Sequence, residues 1–160
     1  MIHAYKGVVP KLHPTAFVEA SAQVIGDVEL AEEVGVWFTS VIRGDVNFVR
    51  IGRGSNIQDG TVIHVNRRGP PTIVEESVTV GHGVRLHGCH IKSHCLIGIG
   101  AVVLDGAVLS PGTNAPRGSV LMGAPARVKR QVTEADLDLI HRSARNYVAL
   151  AAEYKAMQGG

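Results

Sequence analysis

The chain has 160 residues, 45% of them hydrophobic and 19% charged, with a formal net charge of +2. That is enough material for one domain with its own core. The near-neutral balance excludes a broad cationic footprint for nucleic acid or an acidic membrane, and aromatic residues at 4% are too scarce for base-stacking platforms.

The N-terminal residues Met1 to Lys6 lack a secretory apolar run, and no stretch approaches the length of a membrane span. From Val18 onward an aliphatic residue recurs every sixth position: Val18, Val24, Leu30, Val36 and Ile42. The frame resumes at Ile51, Ile57 and Ile63, and again at Val80 and Leu86. It then shifts by one and runs through Ile91, Ile97, Val103 and Leu109. A period of six is neither the two of a plain strand nor the 3.6 of a helix, and repeats of this kind signal a β-helix or solenoid. Each hexad makes a short strand and a corner, and eighteen residues complete a triangular turn. The expected fold is an all-β solenoid, a parallel β-helix of hexapeptide repeats followed by a C-terminal α-helix, in a single domain over residues 1–160. The β-helix is expected over about 10–126 and the helix over about 133–157.

Residues 65–72, with Gly69, Pro70 and Pro71, cannot continue a strand ladder and read as a loop leaving a corner. Arg67 and Arg68 there read as a solvated basic turn. Two cysteines, Cys89 and Cys95, are too few for a disulfide framework, and are expected as reduced thiols of a cytoplasmic protein. Thr133 is an N-cap candidate followed by acidic residues, and Leu137, Ile140, Ala144, Val148, Ala151 and Lys155 fall at helical spacing beside Tyr147 and Tyr154. This stripe should dock along the coil or across a subunit boundary.

His64, His82 and His87 lie inside the repeat. Imidazole is the commonest protein ligand for zinc, and three imidazoles with no evident fourth ligand suggest an open, catalytic sphere. His64 and His87 are 23 residues apart. Without about five looped-out residues that is one turn, so the two should stack on the same edge. His82 should lie near the preceding corner, which favours a site shared between subunits under cyclic symmetry. His3, His13, His90, His94 and His141 are expected as surface or satisfied polar groups, with His90 and His94 facing solvent. Arg43 and Asp45, two apart on a strand, share a face. Gln58 and Asp59 should point to opposite sides, and an amide such as Gln58 can orient a metal-bound water without competing for the metal.

The run Ile42-Arg43-Gly44-Asp45-Val46-Asn47, the run from Ser55 through Gln58-Asp59-Gly60 to His64, and the run from Thr79 through Gly81-His82-Gly83 and Leu86-His87 to Cys89 together resemble the γ-class carbonic anhydrases in their short bacterial branch. Gly98 to Gly106 and Asn146-Tyr147-Val148 also fit, so the similarity covers nearly the whole chain. The resemblance implies a left-handed β-helix and a homotrimer, with two histidines from one subunit and one from its neighbour at each metal. It implies pairing of Arg43 with Asp59 across the interface, support of that network by Asp45, and a hydrogen bond from Gln58 to the metal-bound hydroxide. Tyr147 matches a helix tyrosine that approaches the site in some members. The implied activity is that of a lyase, the reversible hydration of carbon dioxide to bicarbonate by metal-bound hydroxide.

Two departures qualify the match. Val46 follows Asp45, and the loop is basic, where archetypal members carry glutamates for proton transfer. The shuttle is therefore unassigned and strong hydratase activity is not expected. Residues 109–116 also run straight into the closing segment, where related chains have most of another turn. The donor set suits zinc first, with iron(II) and cobalt also accommodated. Two other classes stay open: a hexapeptide acyltransferase or thioesterase acting on a coenzyme A thioester, and a non-catalytic trimeric metal-binding scaffold.

Overall fold

Aliphatic side chains six positions apart reach a common interior only if the backbone turns a corner after each short strand. The computed structural model, which describes residues 1–105, 108, 109, 119–122 and 127–158, is built this way. It is a parallel β-solenoid of about five turns with one C-terminal helix. Successive turns pair in register on three faces. On the first face Val24, Ile42, Ile63, Leu86 and Val103 form an inward column. Leu12, Leu30, Ile51, Val74 and Ile91 form the second. Val18, Val36, Ile57, Val80 and Ile97 form the third. Ile42, Ile57, Ile63 and Ile91 are fully buried, and the three columns fill one continuous core.

Departures from strict hexads are absorbed at corners. The coil begins earlier than the visible repeat, because Ile2–His3 already pairs with Val24 and Ile25. A small hairpin, in which Tyr5 and Val8 exchange hydrogen bonds, hides that first strand from the frame. Between Ile42 and Ile51 the chain bulges outward. Gly44 sits where a β-carbon would come within 2.4 Å of the Asp27 carbonyl, so only glycine lets the two turns approach there. The proline loop occupies residues 65–71. Thr72, expected within the loop, opens the next strand, Thr72–Val74, and its hydroxyl donates to the His64 carbonyl at 2.8 Å. Arg67 and Arg68 are exposed.

The C-terminal part holds an element the hexads do not announce: Ser119–Met122 pairs antiparallel with Arg127–Gln131. Most of the stretch expected to be shortened, 110–116, lies outside the described residues, as does 123–126 at the expected end of the coil.

The helix spans Glu134–Gln158 and opens on a reciprocal cap. The Thr133 hydroxyl accepts from the Asp136 N–H at 3.3 Å, and the Asp136 carboxylate accepts from the Thr133 N–H at 2.7 Å. The helix lies along the third face of its own chain, against Phe17–Val18, Gly35–Val36, Asn56–Ile57 and Thr79–Val80. Ala144 and Ala151 are buried in that contact, while Tyr147 and Tyr154 pack on Phe17 and Trp37. The apolar stripe is less buried at its start than its spacing suggests: Leu137 is 44% exposed. Among the described residues, no helix is long and apolar enough to cross a membrane.

Candidate metal centre

Strand pairing sets the central feature. The strands Val62–His64 and Arg85–His87 stack in parallel, so His87 lies directly over His64. The loop 65–71 takes up the extra residues between them. Their rings meet edge to face with centroids 5.1 Å apart, and His87 Nε2 lies 3.2 Å from His64 Nδ1. Two imidazole nitrogens that face each other this way can share one proton or one cation. Zinc-bound nitrogens at about 2.0–2.1 Å in tetrahedral geometry sit roughly 3.3–3.4 Å apart. The donor pair therefore fits a divalent metal in both chemistry and spacing.

His82 stands elsewhere. It belongs to the corner that precedes strand Arg85–His87, whereas His64 and His87 end the strands of that same face. Five residues separate it from His87, and His82 and Gly83 form the turn that leads into the strand, so the two histidines stand at opposite ends of this face. His82 Nδ1 lies 2.9 Å from Asp59 Oδ2, and Asp59 Oδ1 accepts from the Phe38 N–H at 3.1 Å. Among the described residues of one chain, no group of three or more metal-ligating side chains comes together.

The Arg43 guanidinium donates to Asp45, as their shared face requires, and Asp45 Oδ1 lies 3.0 Å from His64 Nε2. Burial pulls the Asp45 carboxyl upward, but the hydrogen bonds to His64 and Arg43 outweigh it and hold the group below its ordinary value. Within one chain, then, Arg43 pairs with Asp45, and Asp59 with His82. The Arg43 and Asp59 side chains each keep 43% exposure.

Gln58 follows Asn56–Ile57 on the third face. It is buried beside the helix-covered face, and its amide donates to Asn56 Oδ1 at 3.1 Å. Asn56 in turn donates to the Thr79 hydroxyl at 3.0 Å, which lies 3.2 Å from the Ser143 hydroxyl on the helix. Tyr147 packs edge-on against Trp37 with centroids 5.3 Å apart. Burial, and then the charge of Asp59, push its hydroxyl above its ordinary pKa. The helix tyrosine thus belongs with Asp59 and His82, at the opposite corner from the histidine pair.

Sequence reasoning missed Asp105, whose Oδ1 lies 2.5 Å from His87 Nδ1. The signal was present: Asp105 follows His87 by eighteen residues, one turn of the coil. His90 is also corrected. It does not face solvent but is half-buried, with Nε2 2.9 Å from Glu75 Oε1, and only His94 of that pair is exposed. Cys89 and Cys95 are not joined by a disulfide, and burial pushes both thiols up to about 11.

This geometry has relatives. No family model matches the chain. It is 38% identical to a carbonic anhydrase of Geobacillus kaustophilus, an alignment that covers 99% of this chain and 93% of that one. It is 40% identical to the mitochondrial gamma carbonic anhydrase 1 of Arabidopsis thaliana, over 92% of this chain. The chain spans only 60% of that plant protein's length. A crystal structure from Bacillus cereus, provisionally described as an acetyltransferase, superposes with a TM-score of 0.90 at 38% identity, over 98% of both chains. The chain belongs to the γ-class carbonic anhydrase family.

Proposed function

We propose that this protein is a metal-dependent lyase that interconverts carbon dioxide and bicarbonate in a homotrimer. Each site takes His64 and His87 from one subunit and the partner subunit's His82. The observation that carries this reading is the register pairing of His64 with His87, nitrogen to nitrogen at 3.2 Å, on a corner that His82 of the same chain does not share. The first face supports a partner copy as well. It presents Val102 at 63% exposure and Leu104 at 62%, and Ile99, at the corner before them, is 78% exposed. A second copy that covers this face would bring its own His82 corner toward the histidine pair.

A divalent ion held by three imidazoles lowers the pKa of bound water to about 7, which supplies a nucleophile at neutral pH. Zinc suits the donors best, and iron(II) and cobalt also fit. The side chains do the rest. Asp45 holds the His64 ring in place through Nε2. Arg43, through Asp45, steadies the same ring and is exposed enough to reach the partner subunit's Asp59. The Gln58 amide, fixed by Asn56, has its oxygen left to accept a proton from an oxygen-bearing ligand. Tyr147 stays protonated at neutral pH and can act only as a hydrogen-bond donor or acceptor there. A cytoplasmic location goes with this reading, since two cysteines build no disulfide framework.

The test is metal analysis of anaerobically purified protein, followed by a carbon dioxide hydration assay on the same sample. One divalent ion per chain together with hydration above background supports the proposal. Metal without hydration would favour a scaffold. Acyl transfer from, or hydrolysis of, a coenzyme A thioester would favour a hexapeptide acyltransferase or thioesterase.

A further inference from the structure

We propose that Asp105 is a positioning residue for His87: it fixes the imidazole proton on Nδ1 and leaves the Nε2 lone pair aimed at His64. This rests on the reading of His64 and His87 as metal ligands. An ionised carboxylate only accepts hydrogen bonds, so the ring nitrogen 2.5 Å from Asp105 Oδ1 must carry the hydrogen. The same reasoning applied to Asp45, 3.0 Å from His64 Nε2, puts the His64 proton on Nε2. When both rings are neutral, the facing nitrogens are therefore two lone pairs 3.2 Å apart, with no proton left between them. That arrangement needs a cation.

Asp105 is held for this task from two further directions. The Asn66 side-chain amide, on the proline loop, donates to its other oxygen. Gly88, the residue after His87, has φ +53, and a β-carbon there would lie 2.7 Å from Asp105 Oδ1 and 3.1 Å from the Pro70 carbonyl. Glycine at 88 leaves the room that the carboxylate occupies. One carboxylate thus ties the His87 ring to the loop 65–71 and to the next turn of the coil. Carboxylates hydrogen-bonded to metal-ligating histidines fix ring orientation and raise ligand basicity, and their loss typically costs about 10–100-fold in metal affinity.

The experiment is a long-range 15N–1H correlation spectrum of the metal-free, full-length protein labelled at histidine, recorded near ~pH 9, well above an ordinary imidazole pKa of about 6.5. His87, assigned by its loss in His87→Gln, should appear as the Nδ1–H tautomer, the reverse of the form that dominates free histidine. Asp105→Ala should return it to Nε2–H and weaken zinc binding about 10–100-fold. Asn66→Ala, which removes only the other partner of Asp105, should keep the Nδ1–H tautomer. An Nε2–H tautomer in the unaltered protein overturns the inference, and that reading decides the matter even if Asp105→Ala does not fold. So does a folded Asp105→Ala protein with unchanged tautomer and zinc affinity. Because the tautomer is read without metal or substrate, a chain with no hydratase activity could still show it. An active chain that lacks it would refute this inference alone.

Discussion

His87 lies in register over His64 on adjacent parallel strands, with Nε2 of one ring 3.2 Å from Nδ1 of the other. Twenty-three residues of chain separate them, and the proline loop removes the excess so that one turn of coil remains. The pairing is a consequence of backbone register, which the fully buried Ile63 and Leu86 set on the inner side of the same strands. A one-residue slip would turn both histidines inward and both aliphatics outward.

Ile63→Ala should therefore damage the metal pair as well as the core. The expected cost is about 2–5 kcal/mol, the range for truncation of a buried isoleucine. Denaturant unfolding of the metal-free protein measures it, and zinc affinity should fall in the same variant. A loss below about 1 kcal/mol would show that the core tolerates a cavity at this turn.

Arg43→Ala should loosen the proposed trimer and lower metal occupancy together, because Arg43 steadies Asp45 within the chain and is exposed enough to reach a partner. Sedimentation equilibrium and metal analysis on the same sample check this. Unchanged mass and unchanged metal would remove Arg43 from the account.

Glu75 should shape acid stability. The Lys92 ammonium at 2.8 Å, helped by Ser93 and His90, lowers its carboxyl from 4.5 to about 2. A carboxyl depressed in the folded state contributes stability above its unfolded pKa and loses it as pH falls through the folded value. The contribution should be complete above pH 4.5 and fade toward about pH 2. Glu75→Gln should cost about 1 kcal/mol at neutral pH, the scale of a partly exposed pair, and flatten the acid limb of the stability curve. An acid limb of the same slope in both proteins would contradict this.

Burial pushes the Cys89 and Cys95 thiols from 9.0 to about 11. The thiolate is the reactive form, so near ~pH 8 both should alkylate about 100-fold more slowly than an exposed thiol. Denatured, unreduced protein should yield two reactive thiols. Rapid alkylation of the folded protein would mean that this part of the coil opens readily.

The repeat made the interior legible, because every inward position must be aliphatic and evenly spaced whatever surrounds it. Val74 escaped because the loop before it breaks the frame, and Ile2–His3 because a small hairpin follows it. The histidine pair was legible through the same arithmetic. Gln58 was not, since nothing in a hexad says that its amide will be buried and bonded to Asn56. Leu137 belonged to the right stripe but keeps 44% exposure, whereas Ala144 and Ala151 further along the helix are buried. Asp105 stood one turn after His87 and went unnoticed, because an acidic residue at a turn looks like ordinary solvated surface until its partner is seen.

The shared site is the central claim, and complementation between ligand variants tests it most directly. Neither His64→Ala nor His82→Ala should hold zinc as a homotrimer, since every site has lost one ligand. When the two are mixed and reassembled, some interfaces combine His64 and His87 from the His82→Ala chain with the partner subunit's His82 from the His64→Ala chain. Such interfaces have all three ligands, and zinc binding should return in the mixed trimers along with any hydratase activity. Mixed trimers with demonstrated subunit exchange and no recovered zinc would contradict the account.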